Sequence, residues 1–166
     1  MRRMLVVLAA VCATAAIGVP VALAVSPHFI SASATLSGTN LVVNFKEAGL
    51  GTNQLINYTA SADATATYVC VNRGGANPSA SNKTTVSGPV TASGTFSSGK
   101  NGNVVASLTL MPPSAGSFSC PSGQTLAIAQ VTYTNVAITD TTNAITEPIP
   151  GTFSTGCLLP DVRGAC

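Results

Sequence analysis

The chain has 166 residues, of which only 7% are charged, and its formal net charge is +2. Soluble proteins average about 25% charged residues, so Ser, Thr, Asn and Gly must supply most of the polar surface here. The sequence has no electrostatic footprint for nucleic acid or for an anionic membrane surface, and we expect neither as a partner.

The first 24 residues have the pattern of a secretory signal peptide. Arg2 and Arg3 precede an apolar stretch from Met4 to Val19, and Ala-Leu-Ala at 22–24 is a small-x-small cleavage site. The mature chain is expected to start at Val25 with five basic and five acidic residues. We therefore predict a secreted, extracellular protein that leaves the membrane after cleavage; an uncleaved anchor helix is the alternative.

Short runs in which apolar residues alternate with Ser or Thr follow one another along the mature chain, which is the period-two pattern of strands. The predicted strands cover 29–36, 41–45, 55–61, 65–72, 84–86, 90–96, 104–110 and 124–140, with at most an edge strand in 144–153. Asn101-Gly102 is the strongest hairpin-turn signal. Gly88-Pro89 indicates a bulge or a crossing between sheets. The long run 124–140 is one strand, or two that meet at a bend near Gln130 or Asn135.

Seven to nine short antiparallel strands, without a convincing helix after the signal peptide, predict an all-β, immunoglobulin-like sandwich. Residues 25–153 form the predicted β-sandwich domain. Residues 154–166 form a C-terminal tail.

Four cysteines remain after processing, namely Cys70, Cys120, Cys157 and Cys166. An even number in an exported chain implies two disulfides, with three possible pairings. We favour Cys70–Cys120 as a long staple across the core and Cys157–Cys166 as a short cystine loop in the tail. The spacing does not suit a four-cysteine zinc site, and we expect no metal and no cofactor.

Two stretches resemble known β-sandwich families. Asp63 to Cys70 resembles the immunoglobulin F strand, in which a Tyr precedes the second Cys by two residues, although the mature chain has no upstream cysteine and no Trp. Lys100 to Leu110, with Lys46 to Leu50 followed by Tyr58, resembles the neocarzinostatin-type apoproteins, small immunoglobulin-like proteins secreted by actinobacteria. The resemblance implies a small secreted β protein without assigned activity. Family members have two short-range disulfides, which Cys70 and Cys120 cannot form, so no ligand-binding residue is carried over.

Two loops are candidate contact regions. Residues 73–82 form a predicted loop longer than the usual ~4–6 residues, and Arg73, Asn77 and Asn82 are its candidate binding residues. The cystine loop 157–166 is either a protease-inhibitor-like loop with exposed Leu158-Leu159 or a staple that protects an edge strand. Asn57 and Asn82 also head glycosylation sequons, whose use the sequence does not decide.

Catalytic and aromatic candidates are few. His28 is the only histidine and lies close to the predicted mature N-terminus. Asp140 and Glu147 flank one loop, as solvated loop ends or as an acid/base or calcium pair. Tyr58 and Tyr133 are candidate aromatic contacts for a ligand if they point outward, or core residues if they do not.

The sequence thus predicts a secreted protein, not an enzyme, with a binding or surface-structural role and an extracellular protein or glycan as partner. The alternatives are a small-molecule or glycan-binding module, a protease-inhibitor-like loop protein and, last, a hydrolase.

Overall fold

The computed structural model describes residues 26–72 and 79–166, which form two antiparallel β-sheets. The eight strands in these ranges are β1 (His28–Ser37), β2 (Asn40–Ala48), β3 (Leu55–Asn72), β4 (Ala80–Ser97), β5 (Val104–Leu110), β6 (Gln124–Asp140), β7 (Ile145–Ile149) and β8 (Phe153–Ser154). Sheet A has the order β1-β2-β5, and sheet B has the order β4-β3-β6-β7, with β8 also paired to β6. The predicted all-β, disulfide-stapled sandwich is confirmed.

The hydrophobic core lies between the two sheets, because alternate side chains of each strand point to it. On β3 the inner positions carry four small residues, Ala60, Ala62, Ala64 and Ala66, and all four are buried. On β2 the facing positions carry the larger Leu41, Val43 and Phe45, which are also buried. Removing this apolar surface from water is the main contribution to folding.

Two disulfides connect the chain in the pairing that the sequence favoured. Cys70, near the end of β3, is bonded to Cys120 in the loop between β5 and β6, with the Cα atoms 5.4 Å apart. Cys157 and Cys166 close the C-terminal loop, with the Cα atoms 5.9 Å apart. The first bond ties a strand to a distant loop, and the second acts within the tail.

Two predicted breaks between strands are wrong. The runs 55–61 and 65–72 belong to the single strand β3, and β4 continues through Gly88 and Pro89. Pro89 lies opposite Asp63 of β3, and β4 pairs on that side alone. An edge strand tolerates proline because the missing N–H can fall on its unpaired side.

The Asn101-Gly102 turn joins β4 to β5, which lie in different sheets, so the predicted hairpin is a crossing between sheets. Ser98 fixes this crossing against the loop that follows β2. Its Oγ donates a hydrogen bond to the Gly51 carbonyl (2.6 Å) and accepts one from the Gln54 N–H (2.9 Å).

The long run is the single strand β6, which contains two bulges, one near each of the two alternative positions of the predicted bend. At two places β6 has one residue more than the segment of β3 that it pairs with. The first is opposite Thr67–Tyr68 of β3, and the second is opposite Ser61–Asp63. The second bulge places Asn135 in the left-handed region (φ 51°). The extra residue shifts the alternation of inward-facing side chains by one position. The inward-facing residues are Val131 and Tyr133 before the bulge, and Val136, Ile138 and Asp140 after it.

Candidate functional site

The candidate binding loop is described only in part. Arg73 and Asn77 lie outside the described residues. Asn82 does not belong to a loop: it is an exposed residue of β4, paired with Cys70 of β3. The predicted loop 73–82 therefore ends too late at Asn82, because an edge strand does not need an apolar residue at a position that faces solvent.

Both candidate contact tyrosines are buried, which corrects the suggestion that they point outward. Tyr58 is 1% exposed and Tyr133 is 0% exposed. The Tyr133 hydroxyl donates a hydrogen bond to the Thr39 carbonyl at 2.8 Å. The described Phe side chains are also buried or half-buried, so no aromatic ring in these ranges is placed for stacking on a ligand.

Asp140 and Glu147 do not form an exposed pair. Glu147 is exposed on β7, whereas Asp140 is fully buried at the end of β6. The Asp140 carboxylate accepts hydrogen bonds from the backbone N–H groups of Thr142 (2.8 Å) and Asn143 (2.9 Å). It also accepts one from the Asn143 side-chain amide (2.6 Å). Asp140 therefore shapes the turn after β6.

The C-terminal cystine loop packs against sheet B. Ala165 is buried with Val69, Ala80 and Ala129, and Leu159 and Val162 pack against this cluster. The Leu158 N–H donates to the Ala129 carbonyl (2.8 Å), and the Ala80 N–H donates to the Arg163 carbonyl (2.9 Å). The loop thus covers apolar surface of its own chain, and of the two leucines proposed for contact only Leu158 is exposed.

The outer face of sheet B is the most regular surface of the molecule, and we call its Ser and Thr side chains the hydroxyl face. Two rows of directly paired residues cross four strands each. The first row is Ser93, Thr59, Thr139 and Thr146, on β4, β3, β6 and β7. The second row is Ser87, Thr65, Thr132 and Ser154, on β4, β3, β6 and β8.

Hydrogen bonds join the hydroxyls within each row. In the first row Thr59 is bonded to Ser93 and Thr139 to Thr146, both at 2.9 Å. In the second row Thr65 is bonded to Ser87 at 2.9 Å, and Thr132 donates to Ser154 at 3.2 Å. A hydroxyl has one donor and two acceptor sites, so each bonded pair retains hydrogen-bonding capacity toward solvent or a ligand.

The rows contain no charged side chain. Between them on β3 lies Asp63, whose carboxylate accepts a hydrogen bond from the Asn135 amide at 2.8 Å. Neighbouring strands lie about 4.8 Å apart, and the six residue steps from Thr59 to Thr65 span about 20 Å. The surface therefore offers neutral donors and acceptors in two sets that only an extended ligand could contact together.

An open depression of about 440 Å³ adjoins the first row. Its lining includes Asn57, Thr59, Ser93, Thr95 and Thr141. Thr95 donates a hydrogen bond to the Asn57 side-chain carbonyl at 2.7 Å, which fixes the polar rim. A larger, mainly apolar groove of about 610 Å³ lies between the two rows, where Ala137 of β6 is paired with Pro148 of β7.

A buried acidic group at one end of the sandwich was not singled out by the sequence analysis. Glu47 is 0% exposed, and neither of its carboxyl oxygens has a hydrogen-bonding partner in the described part of the chain. The Tyr58 hydroxyl is likewise buried without such a partner among those residues. The signal was present, since Glu47 follows Leu41, Val43 and Phe45 at the same alternate spacing.

Burial raises the pKa of the Glu47 carboxyl to about 7. The negative charge of Asp140 adds to this increase, whereas Tyr58 and His28 oppose it. Burial, followed by the proximity of Glu47, raises the pKa of the Tyr58 hydroxyl, which therefore stays protonated. The end of the sandwich thus holds a carboxyl group whose charge changes near neutral pH.

Among residues 26–72 and 79–166, no three His, Cys, Asp or Glu side chains come together as a possible metal site. Over the same ranges, no helix has the length and apolar character needed to span a membrane. No protein-family model matches the chain, and comparisons with curated proteins and with solved structures found no significant match.

Proposed function

We propose that this chain is a secreted, non-catalytic protein that works by binding through the hydroxyl face. Two disulfides are typical of proteins in an oxidising environment. Together with the signal-peptide pattern of residues 1–24, they support export to the extracellular space.

We also infer that the sandwich is immunoglobulin-like, and the strand order supports this inference. If the first seven strands are lettered A, B, C, C′, E, F and G, sheet A is A-B-E and sheet B is C′-C-F-G. Immunoglobulin-like sandwiches divide their strands between two sheets in a closely similar Greek-key order.

The partner that fits the hydroxyl face best is a neutral polysaccharide. Hydroxyl groups donate and accept, as sugar hydroxyls do, and the rows offer no charge to an ionic ligand. Two rows about 20 Å apart suit an extended chain better than a small molecule, which needs an enclosing pocket. The observation that carries the proposal is the alignment of eight hydroxyls in two rows across sheet B.

Affinity would come from many weak contacts. A hydrogen bond contributes about 0.5–1.5 kcal/mol net, because the same groups bond to water in the free state. Repeated contacts along one polymer chain raise the overall affinity through effective concentration. We therefore expect adsorption to insoluble polymers and little affinity for short oligosaccharides.

Adsorption to a panel of insoluble neutral polysaccharides tests the proposal. The test variant replaces Thr59, Thr65, Thr132 and Thr139 with Val, which keeps the shape and removes the hydroxyl. The control variant carries Thr35→Val and Thr109→Val on the outer face of sheet A, where both residues are exposed.

We expect the wild type and the control to adsorb to at least one polymer, and the test variant to lose about tenfold or more in affinity. Equal adsorption by all three proteins would remove the hydroxyl face as the binding surface. A wild type that adsorbs to none of the panel would remove the polysaccharide as partner.

A further inference from the structure

The buried Glu47 lies under the beginning of β1. Glu47 is paired with Phe29 of β1 on one side and with Val104 of β5 on the other. The register of β1 shifts directly after Phe29, where Ile30 is an extra residue relative to β2. The first residues of β1 are thus separated by a bulge from the regular part of the strand.

Aromatic packing holds this segment in place. The Phe29 ring packs edge-on against Phe45, with the ring centroids 6.3 Å apart, and against Tyr58 at 6.4 Å. The preceding residues are also in close contact with β2, since a Cβ atom at Gly49 would overlap the Ser26 carbonyl. The segment Ser26–Phe29 therefore covers the end of the sandwich at which Glu47 is buried.

The groups that face Glu47 do not neutralise its negative charge. Asp140 of β6 is a second carboxylate, and its oxygens already accept three hydrogen bonds from the following turn. Tyr58 of β3 can offer one hydroxyl, and Val104 of β5 is apolar. His28 of β1 is exposed, and its ring is hydrogen-bonded to the Ser26 carbonyl (2.9 Å). A charged Glu47 would thus be buried without a cationic partner, which is costly.

We propose that Glu47 is a proton-operated latch: when protonated it allows residues 26–30 to close over the end of the sandwich, and when ionised it releases them. Release would let water reach the carboxylate while the rest of β1 stays paired. The latch is closed in acidic medium and opens as the pH rises through the neutral range. It is independent of the hydroxyl face, which lies on the outer side of sheet B.

The sign of the effect follows from the pKa of Glu47, which is about 7 in the folded chain against 4.5 for an ordinary glutamate side chain. The closed state holds a proton that the open state loses more readily. The stabilisation of the closed state by protonated Glu47 is therefore fully present below about pH 4.5, and it is lost as the pH rises through about 7. Each unit of pKa difference changes the equilibrium tenfold, so opening would increase on the order of a hundredfold in total.

Hydrogen exchange measured at several pH values, and corrected for the intrinsic rate at each pH, tests the latch. We expect protection of the amides in residues 28–31 to fall on the order of a hundredfold between about pH 5 and pH 8, and to stay well below the protection of the centres of β3 and β6 at every pH. In Glu47→Gln, whose side chain cannot ionise, protection in this segment should not depend on pH. Glu147→Gln, which alters an exposed acid on β7, should behave as the wild type does.

Equal pH dependence in wild type and Glu47→Gln would overturn the proposal. So would exchange of the amides in residues 28–31 that is no faster than exchange at the centres of β3 and β6, because the segment would then open only by global unfolding. If Glu47→Gln does not fold, an NMR titration of the side-chain carboxyl carbons in the wild type decides the question. A glutamate that titrates near pH 7, together with the local loss of protection, supports the latch, and a titration in which no glutamate responds near pH 7 contradicts it.

Discussion

At the scale of single residues, Glu47 is the position where the sequence pattern and the chemistry disagree. Its spacing from Val43 and Phe45 assigns it to the inner face of β2, and the structure buries it there. A carboxyl group is tolerated in a buried position mainly when it is protonated, which explains why the pKa of Glu47 is raised. The position of Glu47 could be predicted from the alternation, but the proximity of Asp140 could not, because it depends on a bulge in another strand.

Glu47 should make the stability of the whole protein depend on pH. Because its pKa is raised in the folded state, its contribution is present below about pH 4.5 and is lost as the pH rises through about 7. The loss is of order 3 kcal/mol. Urea unfolding of the wild type and of Glu47→Gln at several pH values measures this difference. A difference that does not vary between about pH 5 and pH 8 would contradict the pKa assigned to Glu47.

The two most deeply buried tyrosines should respond differently to the loss of their hydroxyls. Tyr133→Phe removes the donor to the Thr39 carbonyl and should cost about 1 kcal/mol. Tyr58→Phe removes a buried hydroxyl that has no hydrogen-bonding partner among the described residues, and should be neutral or slightly stabilising. Thermal unfolding of both variants at the same acidic pH, where Glu47 is protonated, measures the contrast. A larger loss in Tyr58→Phe would show that its hydroxyl has a bonded partner.

At the scale of elements, β6 determines which side chains reach the core and which reach the hydroxyl face. Its length and the two positions where a bend could fall could be predicted from residues 124–140, but the presence of a bulge at both could not. The single strands β3 and β4 could not, because Gly88-Pro89 and the alanine-rich centre of β3 look like interruptions when pairing is unknown. In the structure β4 pairs along one side and β3 along both sides, and this pairing runs through the apparent interruptions.

Deleting Asn135 tests the role of the second bulge. Without the extra residue, Val136, Ile138 and Asp140 would turn outward in the register that the rest of β6 imposes. We expect the deletion to cost more than about 4 kcal/mol or to prevent folding. Asn135→Gly should stay within about 1 kcal/mol of the wild type, because glycine adopts a positive φ readily. Urea unfolding compares them, and a stable deletion variant would contradict this role of the bulge.

At the scale of the whole molecule, two sheets of unequal extent are joined by a covalent staple and by a core of small and large side chains. The sandwich, the cystines and their pairing could be predicted from the sequence, since each has a local or countable signal. The two hydroxyl rows could not, because a row consists of residues brought together only by the register of four strands. The resemblance to neocarzinostatin-type apoproteins stays a prediction.

The two disulfides should contribute unequally to stability. Cys70–Cys120 closes a loop of 50 residues and Cys157–Cys166 a loop of 9. In the chain-entropy account, closing these loops stabilises the folded state by about 4 and about 2.5 kcal/mol, respectively. Replacing each pair by Ser and following thermal unfolding measures the two contributions. A larger loss for the C-terminal pair would show that docking of the tail, and not loop closure, dominates.

Adsorption isotherms of the wild type and of the Thr59, Thr65, Thr132 and Thr139 to Val variant, at low and high salt, test the central claim most directly. If neutral hydroxyls form the binding surface, the wild type should bind a neutral polysaccharide with little dependence on salt, since no charge is screened. The variant should lose that binding at both salt concentrations while unfolding at the wild-type temperature. Binding that the variant retains and that high salt abolishes would contradict the claim and would place the working surface elsewhere.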